Sequence, residues 1–262
     1  MSYCSHPAER SRVRGEYADR DSSSINQRYV FTNPAFMYHM QERERSILLG
    51  LSKANVDLNH MRVLEIGCGT GHILQRFLEF GIKQGVGIDL MEHRLKSAVI
   101  NYPNIGFMLG DGAEIPCRDE MFDLVMQFMC LSSVLDDSVR HRIAKEMWRV
   151  LRPGGIVLSY DLRTIPKVGA FSTKVFQYLS ASWKKGNSRD TARSKATPTR
   201  PLDAIELQNL FDGRVLKLDA VSLQFDLAGT VKTSFLLTTL LSMVPCLRTH
   251  YLAIIRKPRY PA

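Results

Sequence analysis

No two cysteines stand at a spacing that would hold a zinc ion or mark a redox pair. The five, Cys4, Cys68, Cys117, Cys130 and Cys246, are scattered and odd in number. That argues against a disulfide framework and a zinc site, and it points to a reducing cytoplasm. Long hydrophobic runs are also missing. The most apolar stretch, residues 235–244, is interrupted by Thr238, Thr239 and Ser242. It falls far short of the roughly 20 residues that span a bilayer, so it reads as a buried or interfacial helix. The first residues are polar and charged, without the apolar stretch of a signal peptide. Acid is scarce locally. Residues 184–200 hold Lys184, Lys185, Arg189, Arg193, Lys195 and Arg200 against Asp190 alone, within a formal net charge of +9. A patch of this kind attracts nucleic acid, anionic lipid or an acidic substrate, or is simply a solvated loop.

What is present is a rhythm. Residues 1–30 are poor in apolar residues and read as a loose segment. Asn33-Pro34 then caps a helix carrying Phe36, Met37, Met40, Ile47, Leu48 and Leu51. Short apolar runs at 62–66, 85–89, 105–109, 122–128 and 156–160 alternate with helical stretches at 72–80, 92–100 and 138–151. This alternation predicts an α/β domain over 31–262, with a doubly wound, mostly parallel sheet and helices on both faces. The alternation fails over about 162–200, which reads as an insertion. It resumes with a helix at 201–211, a strand at 214–224, a helix at 234–243 and a strand at 251–255. The two late strands predict an antiparallel pair at one side of the sheet.

The chemistry gathers at the strand ends, where open α/β sheets bind ligands. The first turn has Gly67, Gly69 and Gly71, where glycine allows positive φ and close approach of a ligand. A dinucleotide fingerprint needs a further glycine where His72 stands. It would also bring pyrophosphate close to Glu65. A ligand with a sulfonium and an ammonium group welcomes that acid instead. Asp89, ending the second strand, can accept hydrogen bonds from ribose hydroxyls. Asp111, after the third strand, can accept one from an adenine amino group.

Residues 63–71, 87–89, 110–113 and the run Trp148-Arg149-Val150-Leu151-Arg152-Pro153-Gly154-Gly155 resemble the class I S-adenosylmethionine-dependent methyltransferases. Within these, they resemble the type-11 group that includes the ubiquinone and menaquinone biosynthesis enzymes. The resemblance covers about residues 60–161. It implies a Rossmann-like, seven-stranded sheet with a C-terminal antiparallel strand, and S-adenosylmethionine as cofactor. It assigns Glu65, Gly67, Cys68, Gly69 and Gly71 to the methionine end, and Asp89 with Leu90 to the ribose. Asp111, Gly112 and Ala113 go to the adenine, and Gln127 and Phe128 border the methyl group. Residues 160–163 and 247–252 are also similar to methyltransferases found beside bacterial surface-polysaccharide genes.

Methyl transfer needs an aligned acceptor, exclusion of water and sometimes a base. The candidate bases are His39, Asp161 and His250. The acceptor expected is a small molecule, an oxygen of a sugar, lipid-linked glycan or quinone-like ring, anionic or membrane-held. A nucleic-acid amino-methyltransferase would carry an Asn/Asp-Pro-Pro-aromatic motif where Met126-Gln127-Phe128-Met129 stands, which disfavours that use of the basic segment. A protein methyltransferase or a non-catalytic S-adenosylmethionine-binding regulator would also be compatible with these residues. Asp136 and Asp137 read as a helix start rather than metal ligands.

Overall fold

The computed structural model describes residues 6–22, 32–164, 198–230 and 234–259. The expected insertion at 162–200 falls mostly outside these residues, and Lys184, Lys185, Arg189, Arg193 and Lys195 fall outside them entirely.

Seven strands form one sheet: β1 (Arg62–Ile66), β2 (Gln84–Asp89), β3 (Gly106–Leu109), β4 (Phe122–Phe128), β5 (Leu151–Leu162), β6 (Arg214–Leu223) and β7 (Arg248–Arg256), in the order β3-β2-β1-β4-β5-β7-β6. The first five are parallel. β7 runs antiparallel between β5 and β6, as the late strands predicted. The reversal of order at β1 and β4 creates the crevice in which ligands settle in such sheets.

β4 is buried along its whole length, as a strand covered on both faces must be. One face packs α5 (Asp137–Val150) and α6 (Ala204–Asn209) through Ile143, Met147, Val150 and Leu207. The other packs α2 (Pro34–Lys53) and α3 (His72–Glu79) through Ile47, Leu51, Leu74 and Phe77. The caps follow the sequence. Asn33 accepts from Ala35 N–H at 3.0 Å ahead of Pro34. Asp136 accepts from Ser138 and Val139 N–H and starts α5, which bears out the helix-start reading. α4 is Glu92–Asn101, α7 Phe225–Thr230 and α8 Phe235–Ser242.

Two readings need correction. Residues 7–22, within the segment expected to be loose, form a helix, α1 (Pro7–Ser22). It has no apolar face to announce it. Ion pairs from Arg12 to Glu9 (2.5 Å) and Glu16 (2.7 Å) along one side stabilise it instead. In addition, β5 begins at Leu151, so Arg152-Pro153-Gly154-Gly155 enters the ladder at a register shift rather than lying before the strand. Among the described residues, no helix is long and apolar enough to cross a membrane.

Candidate active site

The turn after β1 folds over the end of β2. Gly67 and Cys68 N–H both donate to the Ile88 carbonyl, at 2.8 and 3.1 Å. Gly67, Gly69 and Gly71 all take positive φ, which an L side chain rarely adopts. Gly69 N–H donates to Asp89 Oδ2 at 2.8 Å, and Met91 N–H donates to Oδ1 at 2.8 Å. These bonds fix the Asp89 carboxylate while leaving each oxygen a lone pair for a ligand. Asp111 Oδ1 is fixed the same way by Ala113 N–H at 2.9 Å.

A cavity lies over these strand ends. Gly67, Asp89, Leu90, Asp111, Gly112, Ala113 and Phe128 line it, all expected from the sequence. A Cβ at Gly112 would stand 2.5 Å from Ile66, so only glycine keeps this wall flat.

Other expected residues serve from behind. Gly69 orients Asp89, and Gly71 precedes α3. Cys68 does not face the cavity; its Sγ lies so close to Gly87 that a Cβ there would be 2.5 Å away. Gln127 is also misassigned as a border of the methyl group. Fully buried, it donates to Ser159 Oγ (2.6 Å) and accepts from Cys130 N–H (2.9 Å), stitching the end of β4 to β5.

α1 supplies the wall that sequence reasoning missed. Glu9, Arg10, Val13 and Tyr17 of α1, with His6 just before it, line the cavity. Arg10 Nε donates to Asp111 Oδ2 at 2.9 Å, and Arg12 Nη2 donates to the Ser133 carbonyl at 2.7 Å. Glu9 accepts from Leu135 N–H at 2.6 Å. Asp21, at the far end, takes Arg94 at 2.5 and 2.7 Å. The helix is thus clamped across the mouth by charge. Its alternating acids and bases were the one available signal.

The three candidate bases do not converge. The ladder pairs Glu65 with Met126, Phe128 with Tyr160, Tyr160 with Leu252, and Leu162 with His250. Paired residues share a face and alternate residues along a strand share one. Glu65, Phe128, Tyr160 and His250 therefore project to one side, toward α2. Asp161 projects to the other, where its Oδ2 accepts from Ser132 N–H at 3.1 Å. Burial raises its pKa to about 6.

On the α2 side His39 and His250 do meet, with ring centroids 5.1 Å apart. His250 stacks on Tyr160 at 4.6 Å. The Tyr160 hydroxyl lies 3.0 Å from His39 Nε2 and 2.8 Å from Ser222 Oγ. Burial, with the nearby Arg43 charge, lowers the His39 pKa to about 4 and pushes His250 well below its usual range. His39 Nδ1 is buried without a partner. None of the three bases lines the cavity.

Arg43 was absent from the sequence-derived site, yet it packs behind Phe128, a residue of the cavity wall. It is 9% exposed, and its guanidinium lies over the Phe128 and Tyr160 rings at 5.4 and 5.7 Å. Its Nε has no partner, and no carboxylate among the described residues pairs with it within 4 Å. A buried unpaired charge costs about several kcal/mol. A ring face returns only about 0.5–2 kcal/mol. Glu65, 1% exposed, has an Oε2 equally without a partner, and burial raises its pKa well above the carboxylate range. Among the described residues no group of acids, histidines and cysteines could hold a metal ion.

The switch-point cleft, the glycine turn and the two fixed carboxylates define a Rossmann-like domain built to hold an adenosyl ligand. Residues 63–155 match the family described as methyltransferase domain, so the chain carries such a domain. It is 35% identical over 112 residues to phthiotriol/phenolphthiotriol dimycocerosates methyltransferase 1 of Mycobacterium ulcerans, covering 42% of this chain and 40% of that protein. It is 30% identical to the demethylmenaquinone methyltransferase of Roseiflexus castenholzii, covering 57% and 61%. The chain thus spans about half the length of the curated relatives it matches. Among solved structures it superposes on a chain from the complex between the Haloferax volcanii Trm112 methyltransferase activator and a methyltransferase. That match has a TM-score of 0.59 and 20% identity, over 95% of this chain and 99% of that one. It also superposes on the [4+2]-cyclase SpnF, with a TM-score of 0.56 and 18% identity, over 84% and 82%. The domain match and this fold imply S-adenosylmethionine as cofactor.

Proposed function

We propose that this chain transfers a methyl group from S-adenosylmethionine to a hydroxyl oxygen of a small-molecule acceptor, a lipid-linked or quinone-like one. The observation that carries the reading is the pair Asp89 and Asp111. Each is fixed by backbone N–H groups at the rim of one cavity, with Gly67 and Gly112 keeping the wall between them open. That is the donor–acceptor pattern an adenosine needs at its ribose and its base. Bound S-adenosylmethionine supplies an activated methyl group. The protein supplies orientation, a dry cleft closed by α1, and a base where the acceptor needs one. None of the three candidate bases lines this cavity, so an acceptor that needs one reaches His39 from the α2 side, where the Tyr160 hydroxyl orients its Nε2.

The relatives named for a dimycocerosate lipid and for menaquinone support an apolar acceptor. So does α8, whose outward face presents Leu236 and Leu240, continued beyond its end by Met243, at 71%, 52% and 62% exposure. This i, i+4, i+7 stripe suits a lipid surface.

Calorimetry with S-adenosylmethionine tests the cofactor part. Wild type binds, and Asp89→Ala weakens binding at least tenfold. Transfer of labelled methyl to demethylated quinols, phenolic lipids and lipid-linked sugars tests the acceptor part. A wild-type chain that binds no S-adenosylmethionine would sink the proposal.

A further inference from the structure

α8 is built inside out. Thr238 and Ser242, one turn apart, are buried at 3% and 8% exposure. Each hydroxyl turns back on the helix. Thr238 Oγ1 donates to the Ser234 carbonyl at 2.8 Å, and Ser242 Oγ to the Thr239 carbonyl at 2.7 Å. Of the leucines in α8 only Leu241 packs inward, joining the cluster of Leu223 and Leu227. Leu236, Leu237 and Leu240 are exposed, and Met243 and Val244 extend the row. A surface helix in water has the opposite arrangement, with its apolar stripe on the core. A single exposed leucine is ordinary, but a contiguous group marks a contact face. Elsewhere among the described residues, large exposed apolar side chains stand singly or in pairs, such as Leu48 with Leu49 and Val99 with Ile100.

Place and charge narrow what meets this face. Leu223, in the cluster that Leu241 joins, ends β6 and pairs with Arg248, the first residue of β7. Two residues on, His250 pairs with Leu162, the last of β5. α8 therefore sits at the carboxyl end of the parallel strands, the end at which the cleft opens. The stretch that carries it is free of acid: residues 227–262 hold no Asp or Glu. Arg248 stands at the C-terminal end of α8, its Nε donating to the Ser242 carbonyl at 2.5 Å. Glu42, near enough to act on Arg248, is half-buried and accepts from Leu223 N–H at 2.9 Å. The chain as a whole carries a formal charge of +9, which draws it to an anionic surface. A two-turn helix offers too little area for a stable protein interface, which needs about 800 Å² a side. A lipid surface needs no matching shape. It takes up single leucines and methionines and holds cations at its headgroups.

We infer that α8, with its extension to Val244, docks this chain on an anionic membrane surface, Leu236, Leu240 and Met243 entering the acyl boundary and the Arg248 charge lying at the headgroups. The cleft end of the sheet is thereby held against the lipid, which gives an apolar acceptor a route to the methyl group that avoids water. As a route it rests on the apolar acceptor proposed above; as a binding surface it stands on the helix alone.

The test is flotation of the full chain with vesicles of phosphatidylcholine alone and of phosphatidylcholine mixed with phosphatidylglycerol. Wild type is expected to float with the mixed vesicles and at least tenfold less with the neutral ones. Leu236→Gln, Leu240→Gln and Met243→Gln together are expected to lower partition onto mixed vesicles at least tenfold. Their melting temperature and their affinity for S-adenosylmethionine are expected to match wild type. If the triple variant does not fold, Leu236→Trp decides. Its added emission is expected to shift to the blue on mixed vesicles and to be quenched by brominated acyl chains. Emission that vesicles leave unmoved overturns the inference. So does a wild type that stays off the mixed vesicles, equal flotation with both vesicle types, or equal partition of wild type and triple variant. A wild-type dimer that ignores vesicles and that the triple variant breaks into monomers gives the face to a second copy and overturns it too. Vesicle binding by a chain that methylates no lipid or quinol overturns the acceptor reading and leaves this inference standing. A chain that methylates such an acceptor in detergent yet ignores vesicles overturns this inference alone.

Discussion

Burial sets the charge state of single residues around this cleft. His39 sits between Arg43, Tyr160 and His250, with Glu42 one turn away on the same helix. In the folded chain its pKa is about 4, against an ordinary value of 6.5. The unfolded chain therefore takes up a proton between those values and the folded chain does not. Unfolding is favoured as pH falls from 6.5 toward 4, and the stability is fully present above 6.5. The upper limit of this contribution is about 3 kcal/mol, and His250 acts in the same sense. Asp161 and Glu65, whose pKa values are raised, act in the opposite sense. Comparing wild type with His39→Gln removes most of those other contributions. In urea titrations the wild type is expected to lose stability relative to the variant as pH drops from 7 to 4.5. Parallel curves would contradict the burial argument. The glycines and acids at the strand ends were legible because each answers a local demand, a positive φ or a carboxylate fixed by backbone N–H groups at a strand end. Arg43 was not singled out, although a charge at i+4 from His39 and i−4 from Ile47, on the buried face of a helix, was a visible signal. Cys68 and Gln127 were misplaced for the complementary reason. Sequence neighbours at a strand end point to alternate faces, so being adjacent to a ligand site does not mean facing it.

Helices entered the sequence reading by their apolar stripes. α2, α3 and α5 have them and were found. α1 escaped because it docks by polar contacts: Arg10 on Asp111, Glu9 on Leu135 N–H, Tyr17 on Ser133 and Asp21 on Arg94. Half-exposed ion pairs contribute little each, about 0–1 kcal/mol, so α1 is fastened less firmly than the helices it lies beside. Removing residues 1–22 is expected to leave the far-ultraviolet circular dichroism of the sheet domain in place. It is also expected to speed dissociation of S-adenosylhomocysteine at least tenfold in stopped-flow displacement. An unchanged off-rate would show that α1 is not the cover of the cleft. Because ionic strength screens such contacts, added salt is expected to move the full chain toward the shortened one.

The whole sheet was legible in outline because βα alternation leaves few topologies. The position of β7 was less so. Nothing local to residues 248–256 says that they insert between β5 and β6 rather than extend an edge. Only their apolar run, Leu252 to Ile255, hints at burial on both faces. That insertion makes β7 the link on which β6 depends, since among the described residues β6 pairs with no other strand. A chain ending at Leu247 is expected to show no cooperative transition in differential scanning calorimetry. A sharp endotherm from that chain would refute the dependence.

The same placement orders events in time. Translation delivers β1 to β4, and so the glycine turn and both rim carboxylates, well before β7 exists. Until β7 emerges, β5 and β6 each present an open edge that could pair with another chain. The half that carries the glycine turn and both rim carboxylates is thus made first. His250, which packs against His39 and Tyr160, comes from the strand that closes the sheet, so that buried cluster is completed after the strand-end turns.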